Sequence, residues 1–237
     1  MKASVAAASL VLFLATTPAG QEPAPDPVAK ELAGLLARHE SSELSYPEAY
    51  RAFLPRVQAF AEEHRGTEPE VRAVLWLIQN TWWLREAGAM ESTAMPLAQD
   101  LLARHLDSPQ LDLLGEYRYV FTKEQQRTLY ARLIAESPHR HVQAAAVFGL
   151  ALASPARSAT GLPNPHLVTL LEDYADVRWR QTTFGRIADA HLNPLSAADL
   201  AVGRKAPEIE GIDQDGKPLK LSDFRGKVVL LDFWGDW

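Results

Sequence analysis

A hydrophobic period of 3.6 residues renews itself, stripe after stripe, from residue 28 to about residue 201. The clearest stripe is Val71, Val74, Leu75, Ile78 and Trp82, whose i, i+3, i+4, i+7 spacing puts them on one face of a helix. Val28, Leu32, Leu35 and Leu36 form a second, and Tyr50, Phe53, Leu54 and Val57 a third. Leu97, Leu101 and Leu102 follow, then Leu129, Leu133 and Ile134, then Leu167, Leu170, Leu171 and Tyr174. A helix with one apolar stripe must bury it against a neighbour, so the stripes together predict helix packed on helix.

The helix starts are written beside the stripes. Ser45 with Glu48, Thr67 with Glu70 and Thr122 with Gln125 fit the capping box, in which hydroxyl and carboxylate or amide each satisfy one free backbone N–H. Ser108-Pro109, Ser137-Pro138 and Asn164-Pro165 place a capping residue before a proline, which suits the first helical position because its missing N–H had no partner there. Pro55 interrupts one stripe and predicts a kinked or split helix. Residues 28–201 therefore predict about seven to nine helices joined by short loops, as a bundle or an irregular array. Val71-Arg-Ala-Val-Leu and Val142-Gln-Ala-Ala-Ala are faintly alike, but no fixed period of about 34 or 40 residues emerges.

Residues 1–20 belong to another class. Lys2 is a short positive region, Val5–Leu14 an apolar run, and Thr17-Pro18-Ala19 a small-residue cleavage site near Ala19 or Gly20. This is the pattern of a secretory signal peptide, so the protein is expected to be exported, to a periplasm or the extracellular space. The run is too short for a stable membrane span. Gln21–Pro27 carries prolines at 23, 25 and 27 and reads as an extended linker.

At Val202 the pattern changes. Gly203, Pro207, Gly211, Gly216, Pro218 and Gly226 crowd together, and alternation with β-branched residues replaces the helical period. A domain boundary is expected there, dividing a helical domain over 28–201 from a second domain over 202–237. Glu208–Asp213 and Pro218–Leu221 predict two short strands, with Asp215-Gly216 as the turn between them. Val228–Trp234 is a nearly unbroken apolar run, which suits a central strand covered on both faces.

Val202-Gly203, Ala206-Pro207, Ile209, Gly211, Asp213, Asp215-Gly216-Lys217 and the run Leu221-Ser-Asp-Phe-Arg-Gly-Lys-Val-Val-Leu-Leu-Asp-Phe-Trp-Gly-Asp-Trp237 stand in a dense, ordered string. The string resembles the start of thioredoxin-like redoxin domains, nearest to exported disulfide reductases of the cytochrome-maturation type and further from the thiol-specific antioxidant group. The resemblance covers 35 of the 237 residues. With the helical stripes of residues 28–201 the expected fold is mostly α, a helical bundle or array, and the resemblance implies that the β-hairpin and central strand after it open an α/β thioredoxin-like domain. It implies a thiol–disulfide oxidoreductase acting on a disulfide-containing protein or small thiol, with no cofactor. Asp232 matches the family's buried carboxylate, a proton shuttle for the resolving thiol. Burial disfavours the charged form of a carboxylate, and this suits it to exchange protons near neutrality. Trp234 and Trp237 match aromatic residues flanking the active-site loop, and Pro207 and Gly226 match structural positions.

In the family a Cys-Gly-Pro-Cys motif follows, whereas peroxidases of the antioxidant group carry a Pro-x-x-x-Thr-x-x-Cys loop; Phe233-Trp234 and Trp237 side with the dithiol type. This chain has no cysteine, and Trp237 is its last residue. As written it is expected to be inactive in disulfide exchange, since the attacking thiolate is missing. Three explanations are open: a UGA codon meant as selenocysteine, a nonsense mutation of a cysteine codon, or a fragment. A helical scaffold or binding module with no catalysis, using residues 28–201, is the competing reading, and a thiol peroxidase a third. In the first reading the helical domain docks a protein partner of unknown identity or positions the redox domain.

Other sites read as structural. The net charge of −6 with no basic run excludes nucleic acid as an expected partner. His139-Arg140-His141 places its two rings on different faces of a helix, so no chelating pair and no metal site is expected. The remaining histidines, at 39, 64, 105, 166 and 191, lack ligand spacing. Trp82 and Trp83 are expected in the core, Trp82 completing the stripe that begins at Val71.

Overall fold

The computed structural model describes residues 26–180 and 182–232. The expected leader and most of the linker lie outside these residues. The chain divides into two compact units between Lys205 and Ala206, and among the described residues helix dominates.

The first unit opens with α1 (Pro27–Glu40), where Asp26 accepts from the Val28 N–H at 3.0 Å and Pro27 takes the first helical position. α2 (Tyr46–Glu63), α3 (Glu68–Asn80) and α4 (Met90–His105) follow, with a 3₁₀ turn over Thr81–Ala87 between the last two. A 3₁₀ turn at Pro109–Asp112, the single-turn α5 (Leu113–Glu116) and another 3₁₀ turn at Tyr117–Val120 lead to α6 (Lys123–Glu136). α7 (Arg140–Leu152), α8 (Pro165–Asp173) and α9 (Phe184–Leu192) complete the helices. Packing runs largely between neighbours in sequence: α2 on α3, α3 on α4, α6 on α7, α7 on α8 and α8 on α9, with α5 seated on α7. The helices therefore form an array rather than a closed bundle.

Two hydrophobic cores lie along this array. The first draws on Leu32, Val57, Val71, Ile78, Leu101, Leu114 and Leu133, the second on Leu167, Leu170, Phe184 and Leu192. α7 serves both. Val142 and Ala146, one turn apart, face the first core, while Ala144, Val147 and Ala151 face the second. A helix apolar on both sides has no solvent face to spare, and seven of its thirteen residues are buried.

α2 runs unbroken through Pro55, where the sequence predicts a kink or a split. An interior proline costs about 3 kcal/mol. The burial of Tyr50, Phe53, Val57 and Phe60 around it returns roughly 1.5–3 kcal/mol each, and holds the helix together. The stripe beginning at Val71 stops at Ile78, because the chain tightens into the 3₁₀ turn after Asn80 and carries Trp82 off the core face. Trp82 is 36% exposed, which corrects its placement in the core. The helical pattern also ends sooner than expected, at Leu192, and residues 178–183 hold a small antiparallel pair, β1 (Arg178–Trp179) with β2 (Thr182–Thr183).

In the second unit β3 (Glu210–Ile212) pairs antiparallel with β4 (Pro218–Lys220), Gly211 opposite Leu219. The hairpin lies where the sequence predicts it. Asp213 builds its turn: Oδ1 accepts from the N–H groups of Asp215 and Lys217 at 2.9 and 2.8 Å, and Gly216 supplies the left-handed residue at φ +78°. Val228–Asp232 belong to no strand. An apolar strand covered on both faces needs neighbours to pair with, and no described segment pairs with these residues.

The close approach of α5 to α7 generates a direct test. A Cβ built on Gly115 would stand 2.5 Å from the Ala145 carbonyl oxygen, which is backbone and cannot swing aside. Gly115→Ala is expected to cost about 1–3 kcal/mol by overpacking, despite the better helix propensity of alanine. Urea unfolding should show a lower midpoint at an unchanged slope; a midpoint at or above that of the parent protein would mean that the helices are not held this closely.

Candidate functional site

The second unit is tied together by carboxylates that accept backbone N–H groups. Glu208 accepts from Ser222 N at 2.9 Å, and Asp223 accepts from Lys220 N at 3.0 Å, so the 3₁₀ turn Leu221–Phe224 is fastened to the hairpin at both ends. Hydrogen bonds from Ser222 hold the Glu208 carboxyl below its ordinary range, and the Glu210 carboxylate, 2.8 Å from Lys220 Nζ, raises the lysine. These groups are all at the surface and serve to shape the loop.

Beyond the turn, exposure alternates. Val228 and Leu230 are 103% and 92% exposed, whereas Val229 and Leu231 are 41% and 47%. One side of this run is half covered and the other is bare. Asp232 follows at the exposed end. It keeps the order along the chain that the redoxin resemblance requires, directly after four apolar residues, but the described residues do not enclose it. Trp234 and Trp237, the expected flanks of the active-site loop, lie outside the described residues. Ile209, Ile212 and Leu219 on the hairpin are also 40–46% exposed, so the unit presents apolar surface on several sides.

The helical unit holds the most heavily engaged titratable cluster. Glu70 is 2% exposed. Its Oε2 lies 2.8 Å from His105 Nε2 and accepts from Gly66 N at 2.6 Å, and its Oε1 takes the Arg104 guanidinium. Arg104 also pairs with Asp100 one turn back on α4. Burial alone would push the Glu70 carboxyl up, but the hydrogen bonds from His105, Gly66 and Arg104 outweigh it and leave the group below its ordinary value. Both carboxylate oxygens are spent on α4 and on the turn before α3, so the cluster is a clamp between helices. The capping box expected of Thr67 and Glu70 is absent because the carboxylate has this other use, whereas the boxes at Ser45/Glu48 and Thr122/Gln125 are formed.

His139 and His141 point toward the loop after α4, where Nε2 of each meets a backbone carbonyl, Asp107 O at 2.7 Å and Pro109 O at 2.9 Å. Both rings are occupied in holding that loop. No group of three or more potential ligand side chains that could hold a metal ion occurs among the described residues. At the surface Trp83 stacks on Tyr46, with centroids 5.6 Å apart, and Trp82 meets Tyr119 edge-on at 5.5 Å. The Arg85 guanidinium covers the Trp82 ring at 4.5 Å. No described helix is long and apolar enough to cross a membrane.

The comparisons with known proteins agree with the redoxin resemblance and limit it. The thiol-disulfide oxidoreductase ResA of Bacillus thuringiensis subsp. konkukian is 45% identical over 38 residues, 16% of this chain and 22% of that protein. ResA of Bacillus anthracis is 42% identical and ResA of Geobacillus kaustophilus 50% identical over the same length and shares. The chain thus spans about a fifth of the length of the curated relatives it matches, a stretch about as long as the redoxin-like segment. No family model matches the chain, and no solved structure matches it. A thioredoxin-like relationship is what these matches support.

The Glu70 clamp carries a pH-dependent expectation. Its folded value lies below the ordinary 4.5, so the stability it contributes is fully present above about pH 4.5 and is lost as pH falls through the folded value. Glu70→Gln should cost about 2–4 kcal/mol near neutrality, under the full penalty of a wholly buried pair because Arg104 is one-fifth exposed. Urea titrations across the acid range should show the gap between parent and variant closing below pH 4.5. A gap that does not change with pH would show that the carboxylate is not the charged member of the clamp.

Proposed function

We propose that residues 202–237 are the opening of a thioredoxin-like domain of the exported disulfide-reductase type, carried behind a helical domain. The observation that carries this reading is the ordered string from Val202 to Trp237, supported by the match of 38 residues of the chain to ResA proteins of two genera. The uncovered apolar run at Val228–Leu231 fits it, since such a run is made to be buried by neighbouring strands. In this reading the redox pair is supplied by residues that follow Trp237, as a dithiol or a selenol–thiol pair. A thiolate or selenolate attacks one sulfur of the substrate disulfide, the other sulfur leaves as a thiolate, and the second thiol then displaces the substrate and closes an internal disulfide. Asp232, enclosed once the sheet is complete, takes the proton of the resolving thiol and returns it when an external dithiol reduces the internal disulfide again. Trp234 and Trp237 border that loop. Lys2 and the apolar run Val5–Leu14 direct the chain out of the cytoplasm, and the helical domain docks the substrate protein or holds the redox domain against it.

The test begins with the coding sequence past codon 237. An in-frame UGA or a cysteine codon, followed by Gly-Pro-Cys and more thioredoxin pattern, is the expected result. The extended protein should then reduce insulin disulfides, and the 237-residue chain should not. In the extended protein Asp232→Asn should slow turnover on the order of 10²-fold, the usual worth of a positioned acid or base, with little change in KM. Another stop codon with no related coding beyond it would sink the oxidoreductase reading and leave the helical domain as a non-catalytic binding module.

A further inference from the structure

A cleft of about 380 Å³ lies where the start of α6, the end of α7 and the start of α8 meet, and it is lined by Lys123, Arg127, Leu150, Ala153, Ser154 and His166. In a chain of net charge −6 this lining has three basic side chains and no acid. Arg65, Arg104, Arg132, Arg140, Arg180 and Lys220 all meet carboxylates elsewhere. Lys123, Arg127 and His166 form no ion pair among the described residues.

The placement of Lys123 and Arg127 is unfavourable for the helix that carries them. Lys123 is the first residue of α6 and Arg127 is one turn further on, so the two like charges share a face. Both sit near the positive end of the helix dipole. His166 stands at the second position of α8, again at a positive end. Asn164 ties the loop after α7 to the start of α8. Its Nδ2 donates to Ala151 O at 3.0 Å and to Pro155 O at 3.2 Å, while its Oδ1 accepts from His166 N at 3.0 Å. Asn164 is 4% exposed and so fixes the geometry of this wall. The Arg127 Nε donates to Lys123 O at 3.2 Å, and no hydrogen bond from its terminal nitrogens occurs among the described residues.

We propose that this cleft binds a small phosphomonoester. The phosphate lies between Lys123 and the terminal nitrogens of Arg127, with the Ser154 hydroxyl and the His166 ring donating to its remaining oxygens. The cleft is open to solvent, with Lys123, Arg127 and Ser154 exposed, and is larger than a bare phosphate needs. Leu150 and Ala153 form an apolar floor for the organic part of the ligand.

Phosphate chemistry can reach a protein as a soluble ester or as a lipid headgroup, and the experiment separates them. The full 237-residue chain is titrated with inorganic phosphate, with phenyl phosphate and with phosphatidylglycerol vesicles, while NMR follows the His166 ring and the Ser154 amide. Saturable shifts with both soluble probes are expected, phenyl phosphate binding at least tenfold more tightly because it also covers Leu150 and Ala153. In Lys123→Gln/Arg127→Gln both affinities should fall at least tenfold, with an unchanged circular dichroism melt showing that the array is intact. No saturable shift with either soluble probe, equal affinity in the double variant, or binding to the vesicles alone would overturn the proposal.

Discussion

The helical unit depends on how closely its backbones approach around α7. Gly115 of α5 leaves no room for a side chain against Ala145, and a Cβ on Gly149 would stand 2.5 Å from the Tyr130 ring of α6. The Tyr130 hydroxyl then donates to Leu114 O at 3.0 Å, so one ring joins α5, α6 and α7. Burial drives that phenol well above its ordinary range and keeps it a neutral donor. Small residues on α7 thus bring three helices near enough for one apolar helix to close two cores. Larger residues there would separate the cores, because interiors at crystal-like density have no slack to absorb them.

Much of this array can be read in the chain, and the exceptions have physical causes. The caps at Ser45, Thr122 and Asn164 act locally, over three or four residues, and the helices begin where those residues stand. The stripes identify core faces for the same reason. Glu70 shows where local reading fails. Its position in the sequence is that of a capping box, but its partners Arg104 and His105 lie more than thirty residues away and win it for the interior. Trp82 fails through a change of period, since a 3₁₀ turn rotates the next side chains off the stripe. Of the cleft residues only Lys123 and Arg127 share a helical spacing, and the meeting of three helix ends brings Ser154 and His166 to them. Asp232 is the reverse case: its position in a string of known order carries the information, and its surroundings in the described residues add none.

The two units also differ in how far they satisfy their own apolar residues. The helical unit encloses most of its leucines and valines, and a buried clamp is afforded at Glu70 because each oxygen of that carboxylate has a partner. The residues after Ala206 have well-formed turns and a correctly paired hairpin, yet Val228, Leu230, Ile209, Ile212 and Leu219 remain exposed. Local rules of turn and strand are met there, and burial, which needs distant parts of a sheet, is not. A two-stranded ribbon is marginal by itself in water, so this unit and the helical unit stand at opposite ends of self-sufficiency.

Packing between sequence neighbours in the array has a kinetic consequence. A helix that finds its partner one element away closes only a short loop, and loop closure is the main entropic barrier before contacts can form. Low contact order of this kind goes with folding in microseconds to milliseconds, whereas long-range sheet pairing is slower by orders of magnitude. The order of assembly follows from the topology: α1 through α9 can condense pair by pair as the chain lengthens.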